Sequence, residues 1–214
     1  MFNTIILVYA LLLFICNYII KLVNIQRQKR SPEANFYIYH NIYDYIRKKY
    51  LGCNGIDFIM VKAEGISGLT KLFREALVDV DDASTILFVG SEAVCPPFAQ
   101  LLAYAVRDHN MRFGFCPRAE WENSRTMRWV AGAGFQISKD PFEPGEADVI
   151  VILGGLAIPK FGCPVEDVKA LISQIPKHRL VIAVGFMDAF RKAGWNSSLH
   201  FDVLIDGYMS AEVL

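Results

Sequence analysis

The chain has 214 residues, enough for one substantial domain and an appendage. Its 22 basic and 22 acidic residues balance, so no global electrostatic attraction to nucleic acid is expected. The five cysteines (Cys16, Cys53, Cys95, Cys116 and Cys163) are odd in number and include no C-x-x-C pair. A chain of this length does not need disulfide staples, and a reducing compartment is the simplest reading.

The first sixty residues differ in kind from the rest. "TIILVYALLLFICNYII", residues 4–20, is apolar except for Thr4 and Asn17, and its length is near the lower limit for a membrane span. No positive charge precedes it and no small-residue cleavage site follows, which favours an anchor over a cleaved signal. Lys21, Arg27, Lys29 and Arg30 come next, and the positive-inside rule then places the remainder in the cytoplasm.

Phe, Tyr, Asn, Ile, Lys and Leu dominate residues 1–60. These are the residues specified by A/T-rich codons, as expected if non-coding DNA were translated from a start placed too early. The two readings give residues 1–30 as an anchor or as a mis-called start. Residues 31–59 are then a Tyr-rich, basic juxtamembrane linker, and residues 60–214 a single α/β domain. A membrane is a partner only if residues 1–59 are translated. Mass spectrometry of the native N-terminus separates the two, since a protein beginning at Met60 has no anchor.

The domain opens with "GISGLTKLFREALVDV", where Leu69, Leu72, Phe73, Ala76 and Leu77 recur at helical spacing. An acidic turn leads to the apolar run "TILFVG". The helical segment "PFAQLLAYAVRDH" follows, with proline at its start. Next come a strand "MRFGF", a helix over about Ala119 to Ala131, and a short strand "FQIS". The clearest strand is "DVIVIL", ending in Gly154-Gly155. It is followed by the helix "PVEDVKALISQI", the strand "LVIAVG", a short helix "MDAFRKAG" and a last strand "FDVLID".

Apolar strands alternating with amphipathic helices predict a three-layer, doubly wound, mostly parallel sheet of Rossmann-like type. The expected strand order is 3-2-1-4-5-6, with a switch point between the strands ending at Gly90 and Gly154.

Three cysteines precede proline: Cys95-Pro96, Cys116-Pro117 and Cys163-Pro164. Each is predicted at a strand-to-helix junction, and such junctions share the carboxyl edge of a parallel sheet, where ligands bind. A thiol at a helix N-terminus feels the positive end of the dipole, which lowers its pKa. The plainer alternative is that proline simply begins three helices and cysteine fits tight junctions. His109, His178 and His200 fall near strand starts, on the opposite edge, which leaves the thiols without a histidine base. Glu92 and Asp188 are the acidic candidates, although acids there more often cap helices. No metal site is expected, because short ligand spacings are missing.

Dinucleotide binding is disfavoured at the first junction, "VGSEAVCPP". It has no G-x-G-x-x-G, two prolines remove amides, and Glu92 adds negative charge. Near "GGLAIPKFGCP", Gly154 and Gly155 permit close backbone approach and Lys160 supplies a cation. The candidate ligand-binding set is Gly90, Ser91, Glu92, Cys95, Gly154, Gly155, Cys163 and Asp188. No cofactor is named by these residues. The expected partner is a small-molecule ligand or, alternatively, a protein in a larger complex, and not nucleic acid.

The stretches "GISGLTKLFREAL", "LFVGSEAVCPPFAQLLAYAVRD", "ADVIVILGGLAIPK" and "VGFMDAFRKAGW" followed by "FDVLIDG" occur in order. Through them the domain resembles an uncharacterised archaeal family found mainly among methanogens, domain-of-unknown-function family 2124. The resemblance covers most of Met60 to Leu214. It implies a cytosolic α/β domain in a reducing setting, without an assigned reaction or catalytic residues to carry over.

Overall fold

A computed structural model of the protein describes residue 63 and residues 65–208. The expected anchor and the juxtamembrane piece lie outside the described residues. Among the described residues, no helix is long and apolar enough to cross a membrane.

The described chain is a mixed α/β fold with a seven-stranded sheet. In chain order the elements are α1 (Gly65–Ala76), β1 (Thr85–Gly90), α2 (Pro96–Ala105), β2 (Arg112–Pro117), β3 (Arg125–Val130), β4 (Gly134–Pro141), β5 (Val149–Leu153), α3 (Val165–Ser173), β6 (Leu180–Phe186), α4 (Ala189–Lys192) and β7 (Val203–Gly207). The sheet order is β4-β3-β2-β1-β5-β6-β7. Neighbours from β2 through β7 pair in parallel, whereas β2–β3 and β3–β4 are antiparallel. The expected 3-2-1-4-5-6 order is present with one strand, β3, inserted into it.

That insertion corrects the helix expected over Ala119 to Ala131. Arg125–Val130 reads "RTMRWV", with β-branched and aromatic residues that suit a pleated surface. It is followed by "AGAG", in which Gly132 (φ 78°) and Gly134 (φ 75°) adopt left-handed backbone, so the chain reverses as a hairpin instead of continuing as a helix.

Strands β1 and β5 are buried at every position, which explains their unbroken apolar runs: a central parallel strand is covered on both faces. Alternate side chains serve opposite layers. Ile86 and Phe88 join Leu69 and Phe73 of α1 and Leu102 of α2 in one core. Leu87 and Val89 join Val168 and Leu171 of α3 and Phe190 of α4 in the other. Phe73, Phe88 and Phe113 run through the first core with ring centroids 6.3 and 6.2 Å apart, and truncating such a buried ring typically costs about 3–5 kcal/mol.

Polar groups pin the amino edge of the sheet. Thr85 donates its backbone N–H to Asp148 (2.9 Å), and Val181 donates its own to Asp202 (2.7 Å). His109, His178 and His200 precede β2, β6 and β7 on this edge, away from the thiols.

Candidate functional site

The β1–β5 switch point is packed shut by the chain itself. Cys95 lies at the entrance to α2, where its carbonyl accepts from Phe98 and Ala99, both at 3.0 Å. Pro96 and Pro97 occupy the first two helical positions, where a missing amide costs nothing. The Cys95 thiol is buried and points at the β5 end. A Cβ built on Gly155 would stand 2.5 Å from its sulfur, and one on Gly90 would stand 2.5 Å from its Cβ. A Cβ on Gly154 would meet the Gly185 Cα at 2.8 Å. The close approaches that these glycines permit are therefore taken up by protein atoms. Gly90, Ser91, Cys95, Gly154 and Gly155 form one cluster, in which Cys95 N–H donates to the Ser91 carbonyl (3.0 Å).

The loop after β5 is equally compact. Gly162 N–H donates to the Ile158 carbonyl (2.8 Å) and Cys163 N–H to the Leu156 carbonyl (3.3 Å). A Cβ at Gly162 would overlap the Leu156 carbonyl at 1.7 Å. Lys160 is exposed and lies over the Phe161 ring, 5.4 Å from its centroid.

The thiols divide between the two faces. Cys95 belongs to the α1/α2 core, whereas Cys116 and Cys163 pack with the α3/α4 core. Cys116 does not begin a helix, since β2 is followed by a turn and the β3–β4 hairpin. Burial outweighs the helix dipole, so the expected lowering of thiol pKa is reversed. Burial raises Cys95, offset in part by backbone hydrogen bonds at Ser91 and Gly155. Burial also pushes Cys116 up to about 11. Cys163 reaches about 11 through burial first and then the negative charge of Asp167, against the opposing effect of Arg118. At neutral pH these are neutral thiols and poor nucleophiles.

Glu92 is exposed beside this cluster. Asp188, after β6, sits in left-handed backbone (φ 60°) and pairs with Arg191. That hydrogen bond holds its carboxyl below the ordinary value. Its backbone N–H donates to Asp206 (2.9 Å), so Asp188 shapes the turn into α4.

An open groove of about 230 Å³ runs along α3 from the turn that follows the carboxyl end of β2. One wall is a stripe of α3 and its C-terminal cap, Asp167, Ala170, Leu171 and Gln174, at the i, i+3, i+4, i+7 spacing of one helical face. The other is the β2–β3 turn, Arg118, Ala119 and Glu120, with Cys163 completing the lining. Arg118 (φ 51°) and Ala119 (φ 61°) are consecutive left-handed residues, a conformation that costs about 1–3 kcal/mol per non-glycine residue. Arg118 N–H donates to the Gly90 carbonyl (2.9 Å), and its guanidinium pairs with Glu120 at 3.6 Å.

Ser124, just before β3, is buried, and a hydrogen bond with its side chain partly offsets the rise of the Cys116 thiol. Of the expected residues, only Cys163 lines the groove. Arg118, Glu120, Asp167 and Gln174 belong to no sequence motif, and the one signal available for them is the α3 stripe.

An uncharacterized protein of Methanocaldococcus jannaschii is 35% identical over 156 residues, 72% of this chain and 92% of that protein. An uncharacterized protein of Methanothermobacter thermautotrophicus is 39% identical over 150 residues, 68% of this chain and 93% of that protein. The crystal structure of a protein of unknown function from Methanothermobacter thermautotrophicus matches with a TM-score of 0.66 at 35% identity, covering 75% of this chain and 99% of that one. The match to the family described as "uncharacterized protein conserved in archaea" extends over residues 64–210. The chain therefore belongs to that archaeal family, domain-of-unknown-function family 2124.

Proposed function

We propose that this protein is a small-molecule-binding α/β domain whose ligand lies in the groove between the Arg118–Glu120 turn and α3. One observation carries the reading: a left-handed, two-residue turn holds a guanidinium over a polar groove at the carboxyl edge. Strained backbone concentrates where geometry serves a function, and this edge is where parallel sheets bind ligands. The raised thiol pKa of Cys163 favours binding over cysteine chemistry.

Native mass spectrometry of the full chain purified from its source cell tests this, alongside the same chain carrying Ala170→Trp. Ala170 is an exposed helical position, so the indole fills the groove and leaves the core intact. A small molecule released by the wild type and absent from the variant supports the reading. A ligand retained equally by both would sink it.

A second reading, as a non-catalytic subunit of a larger complex, is favoured by an exposed aromatic stack. Tyr104 and Trp129 are 44% and 52% exposed, with ring centroids 6.0 Å apart, and Arg107 lies over Tyr104 at 4.3 Å. Exposed Trp, Tyr and Arg are the side chains that most often anchor interfaces. Loss of a co-purifying protein in Trp129→Ala supports it, and an unchanged complex removes it.

A further inference from the structure

The groove favours a small occupant. Its volume of about 230 Å³ falls below the roughly 300–1,000 Å³ of pockets for drug-sized ligands. Asp167 and Gln174 are two helical turns apart, so the α3 wall is on the order of 10 Å long. An open groove with a wall about 10 Å long suits a small molecule, and a larger one would project into solvent.

It also limits its occupant by charge. Two carboxylates, Glu120 and Asp167, and one guanidinium, Arg118, line the groove, with Arg118 paired to Glu120. The first turn of α3 already carries Glu166 and Asp167, which satisfies the positive helix end and opposes a simple anion. An apolar molecule would strip water from all three charges without replacing it. Arg118 has donors to spare, because its Glu120 pair is half-exposed and 3.6 Å long, and a guanidinium presents five N–H groups. The remaining match is a ligand with one positive and one negative end.

We infer that the groove, on the reading proposed above, takes a small zwitterion of α-amino-acid type, its carboxylate on Arg118 and its ammonium on Asp167 with Glu120. The Gln174 end of the groove receives the side chain. No covalent step is involved.

Calorimetric titration of the full chain provides the test. The probes are the L-α-amino acids, the decarboxylated amine and deaminated acid of any binder, and inorganic phosphate. One or more amino acids bind, and removing either charged group weakens binding about tenfold, the scale of one charge-assisted hydrogen bond. Arg118→Gln weakens the amino acid about tenfold and leaves the matching amine unchanged. Asp167→Asn weakens both. Both positions are exposed, and circular dichroism with unaltered urea midpoints verifies that each variant folds.

Binding by phosphate in place of amino acids overturns the inference, as does indifference of the binder to both substitutions, or no binding by any probe. A non-zwitterionic native ligand displaced by Ala170→Trp also overturns it, while leaving the groove reading intact. A ligand unaffected by Ala170→Trp removes both.

Discussion

The sulfur of Cys95 occupies the space that a side chain at Gly155 would need: a Cβ there would stand 2.5 Å from Sγ and 2.7 Å from Val94 Cγ2. The two residues belong to different strand–helix junctions, and their contact closes the crevice that a doubly wound sheet ordinarily leaves at its switch point. Gly155→Ala is accordingly destabilising by about 1–3 kcal/mol, the usual cost of overpacking. Adding Cys95→Ala returns part of the loss, because the sulfur is one of the clashing atoms. Urea denaturation of the two single variants and the double gives the coupling, and strict additivity would remove the contact from the explanation.

The three thiols of the domain predict an unusual alkaline limit. Cys116 is fully buried and its pKa rises from 9.0 to about 11, chiefly through burial. The unfolded chain loses this proton more easily, so the stabilisation is complete below about pH 9 and disappears as the pH rises towards 11. Its size is on the order of 2–3 kcal/mol for Cys116. Urea midpoints measured from pH 8 to 11 follow it, and Cys116→Ala flattens the slope.

Iodoacetamide labelling ranks the same groups by access. Cys95 and Cys116 are buried and Cys163 is only partly so. Cys163 is modified slowly at pH 7 and much faster towards pH 10, as the thiolate fraction grows. Cys95 and Cys116 react only after unfolding. Rapid modification of native Cys95 near pH 7 contradicts the packed switch point.

Gly162→Ala tests the folded-back loop after β5. The added methyl would overlap a backbone carbonyl at 1.7 Å, which cannot move as a side-chain end can. The loop must open, and hydrogen exchange at Gly162 and Cys163, whose amides bond to Ile158 and Leu156, then accelerates by at least tenfold. Core strands β1 and β5 keep their protection.

Met187→Gly works in the other direction. Met187 is half-exposed and left-handed (φ 57°), so glycine removes a conformational cost and little packing. A gain of up to about 1 kcal/mol is expected, read from the thermal midpoint. A loss of similar size indicates that the Met187 side chain packs more than its exposure suggests.

Elements whose local pattern admits only one burial scheme are legible from their residues alone. "TILFVG" and "VIVIL" are apolar at every position because both faces are covered, and Leu69 and Phe73 mark one face of α1. The central strand order followed from these. Arg125–Val130 does not announce itself as a strand, because its pairing partner, Gly134–Pro141, lies beyond a glycine turn, and a hairpin's cross-strand hydrogen bonds leave no mark within either strand alone.

The cysteine–proline pairs were legible as junctions, yet tertiary packing decided what the cysteines do. Burial depends on neighbours far along the chain, such as Gly155 against Cys95, and it overrides the local dipole that sequence position suggests. The groove was decided in the same way. Arg118 and Asp167 are 49 positions apart in the chain, and only the path of β2 beside β1 and of α3 across the opposite face brings their charges to one place.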